Sequence, residues 1–360
     1  MENIYHIGFG VDANYAKYAG VLMTNIVLTH LGQPICFHIV CDGLYEEDKR
    51  RFENFSLLYR NVKIVFYDAV TTLNSLNPIS KKAAPRLHRA VLLRILLPYL
   101  VADDIKRIIY MDVDMLCIKK LDELWHMDMQ GNIVAAALQH PNMKKSKSLN
   151  LSKNRLLAAG LMLIDTDAWK KNSITQKVFE CFQKHSEKFL AIEEDALNMV
   201  LDGDFLQIGD RYNFCIEVNN PLRSVINNDT VVLHFFQEAK PWTKGCIPEI
   251  HKLYWKYVHL SLWNDMEMKE PTTVKAVFLA GVTEELKKNY KEAKKYYGAT
   301  SKRLIEYYVE KNRYEIFNEK IRVYNFWCWY LNVLTPFLLF FKKKMRQVNF
   351  PDKIKSPNKI

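Results

Sequence analysis

The stretch Ile108 to Ile118 reads IIYMDVDMLCI and sets two carboxylates, Asp112 and Asp114, one residue apart at the end of an apolar run. A strand sends alternate side chains to the same side, so a strand ending here converges the pair on one point. Two hard oxygen donors at one point suit a divalent cation such as Mg²⁺ or Mn²⁺, with positions left open for phosphate oxygens. A lone Asp-x-Asp is common on solvated loops. The apolar run directly before this one is what singles it out. A third acid, Asp12, closes another apolar run, Asn3 to Val11.

Acids at the ends of apolar runs need a scaffold that brings those ends together. The hydrophobic pattern supplies one. Strands are expected at Asn3 to Val11, Ile35 to Cys41, Val62 to Tyr67, Arg107 to Tyr110, Ile133 to Leu138, Leu161 to Ile164 and Val231 to Phe235. Helices are expected at Tyr15 to Leu31, Glu46 to Tyr59, Arg86 to Leu100, Thr175 to His185 and Asp195 to Leu201. The Lys/Ser-rich stretch Pro141 to Asn154 reads as a loop. Strands alternating with helices predict an open, mostly parallel α/β sheet. Such sheets bind ligands outside the carboxyl ends of their strands, where Asp12 and Asp112/Asp114 lie. No G-x-G-x-x-G follows the first strand and no P-loop occurs, which disfavours a dinucleotide site and a P-loop nucleotide site.

The 360 residues allow one large domain with an appendage, or two domains. The seven cysteines are odd in number, and most lie inside apolar runs. They read as buried free thiols of a reducing compartment; with no C-x-x-C pair, no zinc site is expected. The N-terminus MENIYHIGFG lacks the basic and long apolar regions of a secretory signal. Charge is uneven. Residues 271–360 hold 19 Lys+Arg against 8 Asp+Glu, and the first 270 hold 32 of each sign. The C-terminal quarter therefore carries the whole net charge of +11, as an interaction surface for something acidic would.

Six segments occur in a telling order: VDANYAKY (Val11 to Tyr18), HRAVLLRILLPYL (His88 to Leu100), IIYMDVDMLCIKKLDELW (Ile108 to Trp125), AAGLMLIDTDAW (Ala158 to Trp169), IEEDALNMVL (Ile192 to Leu201) and HFFQEAKPW (His234 to Trp242). Over about residues 3 to 260 the chain resembles family 8 glycosyltransferases, most of all the bacterial branch that adds glucose or galactose to the lipopolysaccharide core. The resemblance implies a GT-A nucleotide-diphospho-sugar transferase fold over 1–255. A helical basic and aromatic appendage over 256–345 and a disordered tail over 346–360 complete the expectation.

The resemblance also implies roles. Asp112, Asp114 and His234 are expected to hold Mn²⁺ or Mg²⁺ across the diphosphate of a UDP-sugar, an imidazole ligand favouring Mn²⁺. Lys240 would carry charge on the leaving UDP. Gly10, Asp12, Asn14, Tyr15 and Val113 would bind the nucleotide, with Asp12 accepting the uracil N–H and Tyr15 stacking on the base. Asp12 also reads as a helix N-cap. Arg94, Ala158, Ala159, Gly160, Glu193 and Glu194 would surround the transferred hexose, with Glu194 and Asp195 facing the anomeric carbon. Without the family, Arg94 reads as a surface residue of an amphipathic helix, and the acids at 193–195 as a helix start favourable to the macrodipole.

Three positions depart from the family pattern: Ala158 replaces an Asn before the sugar-binding turn, Glu194 a Gln, and Gln237 a Gly. They put the donor sugar in question and motivate a second reading, a weakened UDP-sugar-binding membrane scaffold. A nucleotidyltransferase is disfavoured, because no Gly-rich basic loop lies near the N-terminus. The resemblance implies retention, with the acceptor hydroxyl attacking from the face of the departing phosphate; a covalent intermediate on Glu194 is the alternative.

The tail carries a second signal. Val323 to Phe341 is 19 residues without a charge, and KKKMR follows. As a helix it would be about 28 Å long. Asn325, Asn332 and Pro336 argue against spanning, and Trp327 and Trp329 favour the interface. The expectation is a peripheral anchor on anionic lipid at the inner face of the plasma membrane, serving a lipid-linked saccharide acceptor; spanning, and ordinary core or an oligomer contact, are the alternatives. The basic residues match no nucleic-acid module.

Overall fold

The computed structural model describes residues 4–75, 89–139, 148–185, 189, 192–216, 226–236 and 240–310. Gln237, Arg86 to His88 and Val323 to Phe341 lie outside these residues, so the expectations placed on them are outside the description.

Contacts divide the chain into two units: 1–215, 226–234 and 257–266 form the first, and 216–225, 235–256 and 267–360 the second. In the first unit the order opens β1 (Tyr5–Asp12), α1 (Ala16–Thr29), β2 (Ile35–Asp42), α2 (Glu46–Leu58), β3 (Val62–Asp68), α3 (Val70–Ser75), α4 (Leu93–Leu100), β4 (Arg107–Met111), β5 (Met115–Cys117), α5 (Asp122–Trp125). It continues β6 (Val134–Leu138), β7 (Leu157–Asp165), α6 (Thr166–Lys171), α7 (Ile174–His185), α8 (Ile192–Leu201), β8 (Leu206–Ile208) and all but the last residue of β9 (Phe214–Ile216) and of β10 (Val232–Phe235).

Seven strands form one sheet in the order β3-β2-β1-β4-β7-β6-β8. Only β7 runs against its neighbours, β4 and β6; the other pairings are parallel, as the alternating pattern predicts. Chain order reverses at β1, which has β2 on one side and β4 on the other. That switch point opens the crevice at the strands' carboxyl ends.

Strand β1 shows how side-chain alternation builds the crevice. Tyr5, Ile7, Phe9 and Val11 are buried, and His6, Gly8, Gly10 and Asp12 alternate with them on the opposite face. A Cβ on Gly8 would lie 2.2 Å from Leu97 Cδ2, and one on Gly10 2.6 Å from Leu93 Cβ. The two glycines thus let α4 lie directly on the strand, and α4 carries Arg94. Gly10, expected to bind nucleotide, also spaces the strand from α4.

The structure corrects several boundaries. The helix expected from Arg86 is a 3₁₀ turn (Arg89–Leu92) followed by α4, with Pro98 tolerated inside. Strand β7 reaches back to Leu157, so Ala158, Ala159 and Gly160 lie in the sheet rather than in a turn. Small side chains give periodicity nothing to register there. Cys215 is exposed and Cys181 half-buried, whereas Cys36, Cys41, Cys117 and Cys246 are buried as expected.

The first unit also claims 257–266: the Trp263 ring lies tilted against Phe52, centroids 4.8 Å apart, and its indole N–H donates to Asp48 at 2.8 Å. The second unit contains most of α9 (Pro248–Leu260), then α10 (Val274–Leu286) and α11 (Tyr290–Glu310). Thr273 caps α10 by accepting from Ala276 N at 3.2 Å. Gly245, at φ +87°, would put a Cβ 2.2 Å from Ala280 Cβ, so the loop can press onto α10 only as glycine. Among the described residues, no helix is long and apolar enough to cross a membrane.

Candidate active site and metal centre

Asp112 and Asp114 stand on a bend between β4 and β5, not on a continuous strand. Asp112 N–H donates to Gly160 O at 2.8 Å, which holds the bend against β7. The side chain of Val113, between them, is buried, and both carboxylates are half-buried. They face the same point although strand alternation ends before them.

The third member arrives by pairing. Strand β10 runs antiparallel to β5 with His234 opposite Met115, the residue after Asp114. His234 Nε2 lies 3.3 Å from Asp114 Oδ1. One donor atom from each of Asp112, Asp114 and His234 lies within 4.8 Å of the others. His234 Nδ1 sits 2.8 Å from Asn213 Oδ1, which can only accept, so Nδ1 carries the hydrogen and Nε2 faces the carboxylates. Burial disfavours a charged imidazole, but Asp114 and Asp112 more than offset this and raise its pKa to about 10. The cluster attracts positive charge, proton or metal alike. Two carboxylate oxygens and a correctly oriented imidazole nitrogen fit a divalent cation of the Mn²⁺ or Mg²⁺ kind.

Gly160 makes the cluster possible. A Cβ there would lie 2.8 Å from His234 Cε1 and 3.0 Å from both His234 Nδ1 and Met115 Cε. Gly160, expected as a sugar-binding residue, is also the floor on which the His234 ring rests.

Arg94 is not a surface residue. It is 7% exposed and bonds Asp112 with Nη2 at 3.0 Å and 3.3 Å from the two carboxylate oxygens. Its guanidinium also lies 3.7 Å from Glu193 and 5.3 Å from the centre of the Tyr110 ring. Tyr110 donates to Asp112 Oδ1 at 2.7 Å. Burial pushes the Glu193 carboxyl upward, and the Arg94 charge works against that. Arg94 therefore links the metal carboxylates to the start of α8. Glu194 accepts from Gln139, and Asn198 clasps Leu157 through its N–H at 2.8 Å and its carbonyl at 3.2 Å. Asp195 is 1% exposed, set beneath the surface of the site.

Asp12 Oδ1 accepts from the N–H groups of Asn14 and Tyr15 at 2.9 and 3.0 Å. This closes a turn ahead of α1, whose N-cap position is Tyr15, so Asp12 caps the turn rather than the helix itself. Tyr15 is 41% exposed. Partial burial, then the charges of Asp114, Asp12 and Asp112, push its hydroxyl pKa upward, which sets Tyr15 within electrostatic reach of all three acids. Lys240 belongs to the second unit, where its ammonium donates to Phe235 O at 2.6 Å. Ala158 is half-buried and Ala159 buried in β7.

Tyr110, Gln139, Asn198 and Asn213 were not read as site residues. Tyr110 carries a signal, since it stands on β4 two residues before Asp112. Asn213 has none locally: it precedes β9, and the place of β9 beside β10 in the small sheet brings it to His234.

Residues 6–246 match the model of glycosyl transferase family 8. The chain belongs to that family. Among curated proteins similar to this chain, general stress protein A of Bacillus subtilis is 27% identical over 73% of this chain and 96% of its own. The lipopolysaccharide 1,3-galactosyltransferase of Salmonella typhimurium is 24% identical over 84% of this chain and 91% of its own. The lipopolysaccharide 1,2-glucosyltransferase of Escherichia coli is 24% identical over 79% and 84%. The galactosyltransferase LgtC, solved with donor and acceptor sugar analogues, superposes with a TM-score of 0.60 at 20% identity, covering 71% of this chain and 96% of LgtC. The fold is GT-A, as expected for family 8.

Proposed function

We propose that this family 8 glycosyltransferase transfers a hexose, glucose or galactose, from a UDP-sugar to a lipid-linked saccharide with retention of the anomeric configuration. The observation that carries the proposal is the convergence of Asp112, Asp114 and His234 at the switch-point crevice, beside Tyr15. Two relatives named for galactosyl and glucosyl transfer to lipopolysaccharide support the sugar and acceptor class.

Asp112, Asp114 and His234 would hold Mn²⁺ or Mg²⁺, which when bound supplies positive charge to a leaving diphosphate. The remaining roles fall to the chain itself. The half-exposed Tyr15 ring offers a stacking face for a base. Asp12 uses Oδ1 on its own turn, and Oδ2 is the oxygen available to a uracil N–H. Arg94 fixes Asp112 and Glu193 in one arrangement, so a hexose against Glu193 and Glu194 sits in register with the diphosphate. Lys240 is assigned to the leaving UDP on its sequence motif. The acceptor hydroxyl gives its proton to the departing phosphate oxygen as the new bond forms on the same face. The basic C-terminal region would hold the enzyme at an anionic membrane surface, on the cytoplasmic side.

The test is UDP release from a panel of UDP-sugars with Mn²⁺, Mg²⁺ or chelator, with a lipid-linked acceptor supplied. Release from UDP-glucose or UDP-galactose that needs the metal and falls about a thousandfold in Asp114→Ala is expected. Release indifferent to chelation would overturn the metal role. Binding of UDP with no turnover of any donor would replace the transferase by the sugar-nucleotide-binding scaffold that Ala158 and Gln237 motivate.

A further inference from the structure

A second cluster of metal-ligating side chains lies on β1 and β2, away from the carboxyl ends that carry the acids. His6 on β1 and Cys36 on β2 are register partners, and His38 follows Cys36 by two, so all three share one face of the sheet. One donor atom from each lies within 4.8 Å of the others. His6 Nδ1 is 2.9 Å from His38 Nε2, and His38 Nδ1 is 2.9 Å from the Tyr67 hydroxyl on β3. The His38 ring stacks on Tyr67, and Trp125 lies tilted against His6. Cys36 and His38 are buried, whereas His6 is half-buried and gives the cluster a way in. Asp12 is six steps along the strand from His6, about 20 Å, so the cluster is remote from the crevice.

We infer that His6, Cys36 and His38 form a second cation site, for Zn²⁺ or a similarly thiophilic transition ion, that ties β1 to β2. Two imidazoles and a thiolate are a donor set for such ions and a poor one for Mg²⁺ or Mn²⁺. Tyr67 supplies the orienting partner that ligating histidines need: with the His38 Nδ1 hydrogen on the Tyr67 oxygen, Nε2 keeps its lone pair for the ion. His6 binds through Nδ1 with its proton on Nε2, and the Cys36 thiol loses its proton to solvent, so one proton leaves per ion. Ligands about 2.0–2.3 Å from a tetrahedral ion stand about 3.3–3.7 Å apart. The 2.9 Å separation of the rings then opens by a few tenths of an ångström, and water completes the set from the His6 side.

The electrostatics leave room for a cation. Burial favours the uncharged forms of Cys36 and His38, so neither side chain's own charge opposes an incoming ion, although the same burial disfavours the free thiolate. Lys63, the register partner of Cys36 on β3, opposes a cation, and Asp104 acts on His6 in its favour.

The test uses the full chain, stripped by chelator and titrated with Co²⁺ as a coloured stand-in for Zn²⁺. One equivalent should give a thiolate-to-cobalt charge-transfer band that Zn²⁺ abolishes and Mn²⁺ leaves. The band should persist in Asp114→Ala and in Cys215→Ser, the latter because Cys215 neighbours His234, and vanish in Cys36→Ser. Should Cys36→Ser fail to fold, Tyr67→Phe keeps all three ligands and should weaken Co²⁺ binding about 10- to 100-fold. No thiolate band in the wild type, a band that survives Cys36→Ser, or an affinity unmoved by Tyr67→Phe would overturn the assignment.

Discussion

Two triads of polar side chains sit at opposite ends of the central strands, and they were assembled differently. Asp112, Asp114 and His234 gather at the carboxyl ends, with two hard oxygens and one imidazole. His6, Cys36 and His38 gather at the amino ends, with two imidazoles and one sulfur. The first triad needs a bend, a glycine floor and a strand paired from more than a hundred residues away. The second needs only two adjacent parallel strands in register. A site at a loop can be tuned by its supports, whereas a site on strand faces depends on the register of the sheet.

The comparison is broken most severely at Gly160. Gly160→Ala should displace the His234 ring and lower transfer about a hundredfold, since misplacing a reacting group by about 1 Å costs that much. The thiolate–cobalt band of the other triad should be unchanged in the same protein. An active Gly160→Ala enzyme would show that the His234 ring tolerates another position.

Asn213→Ala tests the imidazole's orientation alone. Loss of the partner on Nδ1 should weaken Mn²⁺ affinity about tenfold or more, read by titration, with Asn213→Asp restoring much of it. Equal affinity in the three proteins would remove Asn213 from the site.

Gly8→Ala probes the strand between the triads. Its Cβ meets Leu97 at 2.2 Å, so α4 must shift. A loss of about 1–3 kcal/mol in denaturant unfolding is expected, and Arg94 should move with the helix, reducing transfer more than it changes the cobalt band. Unchanged stability would mean that Leu97 yields at no cost.

The smallest effect is the acid response of the scaffold, which sets the background for both titrations. His30 is buried, accepts from Leu121 N at 2.7 Å and bonds Ile26 O at 2.8 Å, and burial lowers its pKa. The folded value lies below the unfolded one near 6.5, so its stabilisation is present above about pH 6.5 and declines as the pH falls. His30→Gln should flatten the slope of stability against pH below that point; an unchanged slope would remove His30 as its source.

Much of the architecture was legible because it is written in long, strongly patterned segments. Strands β1, β2, β3 and β4 lie within two residues of their expected limits, and the mostly parallel sheet follows from their alternation with helices. The three-residue strands β5, β8 and β9 were not legible, since three residues carry no measurable period. Asp112 and Asp114 were legible from spacing, though the reason they converge is a bend rather than a strand. Arg94 could be read as a surface residue only because helical periodicity knows nothing of the acids that neutralise it. The cysteine reading looked for C-x-x-C and so passed over C-x-H, which means little until a neighbouring strand brings a histidine beside it.

Strand β1 has a consequence for how this protein can change over time. His6, Gly8, Gly10 and Asp12 are spaced by even steps, so parity ties both ends of the strand to one face. A point substitution can be absorbed locally. Loss or gain of one codon between residues 6 and 12 would turn one end inward relative to the other, drive a bulky side chain into α4, and either take His6 out of its triad or turn Asp12 away from the crevice. Length variation in this segment should therefore be purged in related lineages even where residue identity drifts freely.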